Sequence, residues 1–301
     1  MSTQTVAQNL LWQSRLILGV VLAPIAVSVA WEMRFWLIHE PRVAAWCLVL
    51  SALLGLVAWK SGSATPAAAA TGALLCASLM FSTFEFPYRP WQTAIVPVLA
   101  VLALTSLATR FGRKRKEHLG TAEEKRGRGA AQVCANLGFA ALVCSPGAQS
   151  VLAGGRAISP DDKFAGLLLT VAAYAALAGA AADTVSSEIG QVLGGTPYLL
   201  TTFRRVEPGA DGAISAVGTL AGVLAACIIG IIGTWALLGN PVTGCLIAAG
   251  GILGLLFDSL LGATVERKGW LNNEAVNFLS TVTAALSVLY FVLWSLQGSM
   301  I

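Results

Sequence analysis

Four carboxylates and two guanidinium groups crowd into one short stretch of a chain that is otherwise poor in charge. From Ala180 to Leu220 it reads AAADTVSSEIGQVLGGTPYLLTTFRRVEPGADGAISAVGTL, carrying Asp183, Glu188, Glu207, Asp211, Arg204 and Arg205. Only 15 of the 301 residues are acidic. The stretch leaves one apolar helix, crosses a polar segment rich in Gly, Ser and Thr, and enters another. Ionisable groups at the end of a membrane helix are costly to keep there, which marks them as a functional site.

The spacing narrows the chemistry. Asp183, Ser186 and Ser187 share one helix face at three- and four-residue intervals. Glu188 points elsewhere on an ideal helix and meets the same ligand only if the helix breaks near Gly190. Pro208-Gly-Ala-Asp211-Gly212 is a strong turn signal. Ser215 and Thr219 then open the next helix, where free N–H groups and hydroxyls suit a phosphate. A second patch runs from Gly254 through Asp258, Ser259, Thr264 and Glu266 to Asn272, Asn273 and Asn277. Gly179-x-x-x-Asp183-Thr184 and Gly254-x-x-x-Asp258-Ser259 echo one another, so the two aspartates reach similar depths on two helices. Such a pair suggests a divalent metal, because Mg²⁺ usually takes one or two carboxylates plus substrate phosphates.

A third patch, Arg126-Gly-Arg128-Gly-Ala-Ala-Gln132-Val-Cys-Ala-Asn136, sets basic side chains at the start of a helix. That arrangement suits an anion, although a basic flank also arises simply from membrane orientation. Gln132 and Asn136 lie four residues apart on one face of an apolar segment, where amides need partners. Arginines beside a metal would neutralise charge developing in phosphoryl transfer. The chain has no Gly-x-x-x-x-Gly-Lys-[Ser/Thr] loop and no His-Arg-Asp signature, so nucleotide chemistry here requires a membrane-embedded site of its own.

The elements that must position these groups are membrane helices. Hydrophobic residues make up 56% of the chain and charged residues 11%, a balance that excludes an ordinary soluble domain. The expected fold is all-α: a polytopic helical membrane protein with about nine spans. They fall near Leu16–Trp31 (with Pro24 as a kink), Val43–Trp59, Pro66–Phe81, Trp91–Thr109, Ala130–Cys144, Phe164–Ala182, Ala213–Leu238, Val242–Leu261 and Ala275–Leu296. The whole chain, residues 1–301, reads as one membrane-embedded domain: N-terminal helices over 1–109, a basic cytoplasmic loop over 110–129, and catalytic core helices over 130–301. Placing that basic loop inside puts the N-terminus in the cytoplasm and the C-terminus outside. Fourteen of the basic residues then fall on the cytoplasmic side and five, Arg34, Arg42, Arg89, Arg156 and Lys163, on the other, in keeping with the positive-inside rule.

Other features read blandly. The six cysteines lie in apolar stretches without a paired motif and act as packing residues. His39 and His118 sit in separate loops, so a histidine zinc site is not expected. Trp31, Trp36, Trp59 and Trp91 fit an interfacial belt. No cleavable signal peptide is expected, since the first apolar run lacks a small-residue cleavage site. The basic run lacks interleaved aromatics, so a nucleic-acid partner is not expected.

Taken together, Ala182-Asp183-Thr184-x-Ser186-Ser187-Glu188-Ile189-Gly190, Thr201-Thr202-Phe203-Arg204-x-Val206-x-Pro208-Gly209-x-Asp211-Gly212-x-x-Ser215-x-x-Gly218-Thr219, Asp258-Ser259-Leu260-Leu261-Gly262-Ala263-Thr264 and Val276-Asn277-Phe278 resemble one family. It is the family of integral membrane proteins long known as a domain of unknown function, which includes the phytyl-phosphate kinase of plant and cyanobacterial vitamin E synthesis. The Arg126–Asn136 patch is similar too, and the resemblance covers nearly the whole chain. The motif order is more distantly similar to the membrane CTP-using enzymes, the phytol and dolichol kinases and the CDP-diacylglycerol synthases.

The resemblance implies a kinase that converts an isoprenoid monophosphate to its diphosphate, using CTP or another NTP with Mg²⁺ in a cytoplasmic-side cleft. Asp183 and Asp258 would hold Mg²⁺, with Glu188 as a further ligand or positioning group. Arg126, Arg128 and Arg204 would hold phosphates, and Ser187, Ser215, Thr219, Asn136 and Asn277 would donate hydrogen bonds. Gln132, Asp211, Ser259, Glu266 and Asn272 complete the expected substrate and nucleotide site. The partners are then an isoprenoid monophosphate, whose tail stays in the bilayer, a nucleoside triphosphate, and the bilayer itself. Two competitors remain: a CTP-dependent lipid cytidylyltransferase built from the same parts, and a transporter or flippase of phosphorylated lipids. A transporter should carry its carboxylates near the midplane between large repeats.

Overall fold

A computed structural model describes residues 11–83, 87–122, 127–152 and 163–298. Eleven α-helices account for most of them: α1 (Leu11–His39), α2 (Pro41–Lys60), α3 (Pro66–Ser82), α4 (Ile95–Arg110), α5 (Arg113–Leu119), α6 (Ala130–Cys144), α7 (Pro146–Leu152), α8 (Lys163–Leu193), α9 (Ala216–Ala236), α10 (Pro241–Leu261) and α11 (Asn273–Gly298). Each of the nine expected apolar segments corresponds to one of these helices, although α4 starts only at Ile95 rather than Trp91 and α9 only at Ala216 rather than Ala213. Among the described residues, six helices are long and apolar enough to cross a membrane, or seven if α4 and α5, bent by 63°, form one span. α3 and α6 are apolar but shorter. α1 runs unbroken through Pro24 and extends beyond the expected span at both ends.

The bundle is built around α8. In its most apolar window 83% of the residues are buried, against 28–39% in the other five long spans. The reason lies in its sequence: apart from Tyr174 and Leu177, residues 172–182 are all Ala or Gly. Small side chains let neighbours approach the backbone on every side, and α8 packs against α4, α6, α9, α10 and α11.

Glycines on those neighbours complete the contact. A Cβ placed on Gly251 of α10 would stand 2.7 Å from the Ala178 Cβ, and one on Gly254 would stand 3.6 Å from the Gly179 Cα. On α9, a Cβ at Gly222 would stand 2.7 Å from the Ala182 carbonyl oxygen. α8 and α10 therefore touch backbone to backbone one turn before Asp183 and Asp258. The Gly-x-x-x-Asp echo has this physical meaning: the glycine closes the helices, and the aspartate follows on the same face.

Beyond α8 the chain turns at Gly195, which adopts the left-handed φ of +65°, a frequent way to end a helix. It forms a small antiparallel hairpin, β1 (Tyr198–Leu199) with β2 (Ala213–Ile214), pairing Tyr198 with Ile214 and Leu199 with Ala213. The Pro208–Gly212 turn lies between them and packs onto a π turn, Gly262–Glu266, that follows α10. A Cβ on Gly262 would stand 2.6 Å from the Gly212 nitrogen, so both positions need glycine for this docking.

The segment expected as a solvated basic loop, 110–129, is partly a helix. α5 turns back at Gly112, where φ is +62° and where a Cβ would stand 2.5 Å from Val192 of α8. The turn buries Lys116, whose side chain is 1% exposed. Its Nζ donates to the Ala108 and Thr109 carbonyls at 3.0 and 2.7 Å and to Glu188 Oε2 at 2.6 Å. Those carbonyls lie in the last turn of α4, where the helix itself supplies no donors.

Two outcomes test this architecture. Gly251→Val should force α10 away from α8, costing roughly 1–3 kcal/mol by overpacking and lowering the melting temperature in detergent. Lys116→Met should destabilise the protein by roughly 3–5 kcal/mol, because Glu188 is left charged and unpaired. Lys116→Met/Glu188→Gln should recover most of that loss in the same melting experiment. A double variant as unstable as the single one would show that the pair is not the source.

Candidate functional site

A polar cleft of about 1320 Å³, counting its open mouth, occupies one end of the bundle. α6 contributes Gln132 and Asn136, with Arg128 just before its start. α8 contributes Asp183, Thr184, Ser186, Ser187, Glu188 and Gln191. The Pro208–Gly212 turn lends Asp211 and Ser215 follows the hairpin, while Asp258 and Ser259 come from α10, Glu266 from the π turn, and Asn273 and Asn277 from α11.

Asp183 and Asp258 meet at hydrogen-bonding reach of each other, with Ser280 also beside Asp258. Ionised carboxylates only accept hydrogen bonds, and two of them at this separation need a proton or a cation between them. Asp258 Oδ2 is buried without a hydrogen-bond partner, and so are Asn277 Oδ1, Gln191 Oε1 and Thr121 Oγ1, all in the same cleft. Unpartnered oxygens suit a hard cation only where they converge, and Gln191, about 12 Å along α8 from Asp183, stands apart from the aspartate pair. Among the described residues no group of three or more His, Cys, Asp or Glu side chains could hold a metal. The fit is therefore to an ion taking two protein carboxylates and completing its shell from substrate or water.

Glu266 lies near Asp183 and Asp211 and takes a side-chain hydrogen bond from Asn273. Partial withdrawal from water holds the Asp211 carboxyl above its ordinary value even at the open rim, while nearby Arg267 pulls it the other way. The positive counterpart is Arg128, which lies near Asp183. Its Nη1 donates to Thr105 Oγ1 at 3.2 Å. Its backbone bridges to the residues before α3, donating to Ser63 O at 3.1 Å and accepting from Thr65 N at 3.0 Å.

Arg128 also stands where three cavities meet. An apolar chamber of about 660 Å³ lies between α2, α3, α4 and α6, and shares Arg128, Asn136 and Thr184 with the cleft. A chamber of about 720 Å³ carries Arg110, Arg113 and Lys116 together with Arg128. The Lys116–Glu188 pair stands in the wall between this basic chamber and the cleft.

The expected site residues divide accordingly. Arg128, Gln132, Asn136, Asp183, Ser187, Glu188, Asp211, Ser215, Asp258, Ser259, Glu266 and Asn277 all line the cleft. α8 does not break at Gly190 but continues to Leu193, and Glu188, about 140° round the helix from Asp183, meets Lys116 instead. Ser215 caps α9, its Oγ accepting from Gly218 N at 3.1 Å. Thr219 lies one turn further along α9, and Arg204 on the exposed hairpin; neither lines the cleft. Nor does Asn272, which caps α11 through Ala275 N at 2.9 Å and ties its own N–H and Nδ2 to Gln13 and Ser14 of α1, both at 2.9 Å. Arg126 lies outside the described residues. Sequence reasoning did not single out Gln191, one turn beyond Ser187, although that spacing signals it. Thr121 and Lys116 carried no signal, because only the bend at Gly112 brings them in.

Comparison with known proteins places the chain. Over 110 residues it is 50% identical to the uncharacterized membrane protein MJ0933 of Methanocaldococcus jannaschii, covering 36% of this chain and 46% of that protein. It is 30% identical over 204 residues to protein VTE6, chloroplastic, of Arabidopsis thaliana, covering 67% of this chain and 59% of that one. It is 32% identical over 204 residues to the uncharacterized membrane protein sll0875 of Synechocystis sp., covering 65% and 72%. The chain thus spans about half the length of the first two of these relatives. No solved structure matches it. The model of the family described as integral membrane protein DUF92 matches residues 49–285, which takes in every residue of the cleft and most of the membrane bundle, and the chain belongs to that family.

Proposed function

We propose that this protein is a membrane kinase that converts an isoprenoid monophosphate, phytyl or prenyl, to the diphosphate. CTP or another NTP with Mg²⁺ is the donor, bound in the cleft at the cytoplasmic end of the bundle. The observation that carries this reading is the facing pair Asp183–Asp258, with Asp258 Oδ2 buried and unpartnered and Arg128 near Asp183. Resemblance to the family that includes the phytyl-phosphate kinase supports the substrate class, and the basic residues Arg110, Arg113, Lys116 and Arg128 at this end of the bundle support the orientation.

The chemistry asks little of covalent groups. A phosphate monoester is already largely dianionic at neutral pH, its second pKa being about 6, so no strong base is needed. Its oxygen attacks the terminal phosphorus of the nucleotide, the bond from that phosphorus to the bridging oxygen breaks, and the nucleoside diphosphate leaves. Mg²⁺, held by Asp183 and Asp258, would offset negative charge on the phosphate oxygens. Arg128 orients the phosphates with a planar fork of donors. Gln132, Asn136 and Asn277 supply neutral hydrogen bonds, and the surrounding helices exclude water from the transfer. Glu188, paired with Lys116, orders the wall of the site.

Purified protein with Mg²⁺ and each of CTP, UTP, ATP and GTP should be offered phytyl, farnesyl and geranylgeranyl monophosphates. Mass spectrometry should find isoprenyl diphosphate with one nucleoside diphosphate per product. Asp183→Asn and Asp258→Asn should each lower turnover by about 10²–10³. Their melting temperatures should be unchanged or raised, because each substitution relieves the repulsion between the carboxylates. Pyrophosphate with a CDP-lipid would identify a cytidylyltransferase instead. Full activity in both variants would remove the carboxylate pair from the mechanism.

A further inference from the structure

The apolar chamber beside the cleft has no assigned role, and its position gives it one. Its walls are aliphatic or bare backbone, as at Leu54, Ala68, Gly72, Val101 and Val133, while Arg128, Asn136 and Thr184 line it and the polar cleft alike. Counting its open mouth, the space between these walls is about 660 Å³. We infer that this chamber receives the isoprenoid chain of the substrate whose phosphate lies in the cleft, so that the chain is held between α2, α3, α4 and α6 rather than left among bilayer lipids. The inference rests on the kinase reading for the identity of the head group.

Two glycines show the difference between a packed wall and an open one. A Cβ on Gly55 of α2 would stand 2.7 Å from the Ala69 carbonyl oxygen and 3.1 Å from the Ala73 Cβ, so that glycine serves the α2–α3 contact. A Cβ on Gly72 of α3 would meet only Val133 Cγ1, at an ordinary 3.8 Å. Helix packing does not require glycine there, and alanine is the better helix former. The missing side chain leaves space facing Val133, and both residues line the chamber.

A bilayer is as apolar as this chamber, so the chamber adds little to affinity. Its contribution is alignment and selection. A chain fixed along one path fixes the phosphate against Arg128 and the carboxylate pair, which is the positional part of catalysis. A bounded volume also discriminates by chain length and bulk, because a chain that does not fit between the helices cannot bring its phosphate to the cleft.

The test compares the wild type, Gly72→Ala and Gly72→Phe, reconstituted in nanodiscs. Gly72→Phe should lower kcat/KM for phytyl monophosphate at least tenfold, while dimethylallyl monophosphate and the melting temperature change little. Gly72→Ala should behave as wild type. A C20 isoprenyl monophosphate carrying a diazirine at its far end gives a readout independent of turnover. It should label α3 and α6 around Gly72 and Val133, in competition with phytyl monophosphate but not with phosphatidylglycerol. Gly72→Phe should lose that labelling. Label confined to the exposed face of α2 at Leu53 and Val57, or competed equally by phosphatidylglycerol, overturns the inference. So does a folded Gly72→Phe with undiminished C20 turnover, and in that case the kinase reading stands. No turnover of any substrate by the wild type, together with competed label in the chamber, sinks the kinase reading and keeps the chamber as an isoprenyl phosphate site.

Discussion

Two carboxyl groups held against each other inside a membrane bundle form the constraint around which this structure is arranged. Left to themselves, Asp183 and Asp258 would drive α8 and α10 apart. They are prevented by the backbone contact one turn earlier, where Gly179, Gly251 and Gly254 leave nothing between the helices to give way. α8 cannot yield on its other sides either, because α4, α6, α9 and α11 close around it. Association in lipid depends on such close backbone approach, since apolar burial distinguishes little between protein and hydrocarbon. The alanine-rich sequence of α8 thus has two consequences: it makes the helix a hub, and it makes the position of the carboxylates rigid enough for charge to be kept there.

The sequence revealed most where lipid dictates the answer. A chain in hydrocarbon must satisfy every backbone group within helices, so the nine apolar stretches could be read directly as helices. The pairing of Asp183 with Asp258 was visible in the repeated Gly-x-x-x-Asp spacing, and most of the cleft in the amides and hydroxyls placed one turn apart. Helix ends were less legible. α8 continues past Gly190, which turns Glu188 towards α5, and α11 starts at Asn273, which gives that residue to the cleft and its neighbour Asn272 to the cap. A shift of one residue at a helix start decides between those roles, and hydropathy does not resolve it.

Lys116 illustrates a deeper limit. Charge patterning places a lysine within a basic run in water, and for its neighbours Lys114 and Arg115, both exposed, this holds. The side chain of Lys116 is buried only because Gly112 bends the chain and sets it over the last carbonyls of α4 and against Glu188. Its environment is a product of three separate segments meeting. Local pattern carries no record of that meeting.

Arg128 joins the pieces into one site. An amphiphilic phosphate ester presents its charge at the end of an apolar chain, and a bilayer offers such a molecule only a broad, mobile boundary between water and hydrocarbon. Here the boundary is fixed by named groups: Arg128, Asn136 and Thr184 line both the polar cleft and the apolar chamber. Arg128 could have neutralised the acidic pair by closing onto it. Its hydrogen bond to Thr105 and its backbone bridge to Ser63 and Thr65 instead anchor it to α4 and to the start of α3. Held there, the guanidinium lies near Asp183, and the two carboxylates still need a proton or a cation between them. The tether thereby fixes one positive charge at the boundary between the cleft and the chamber.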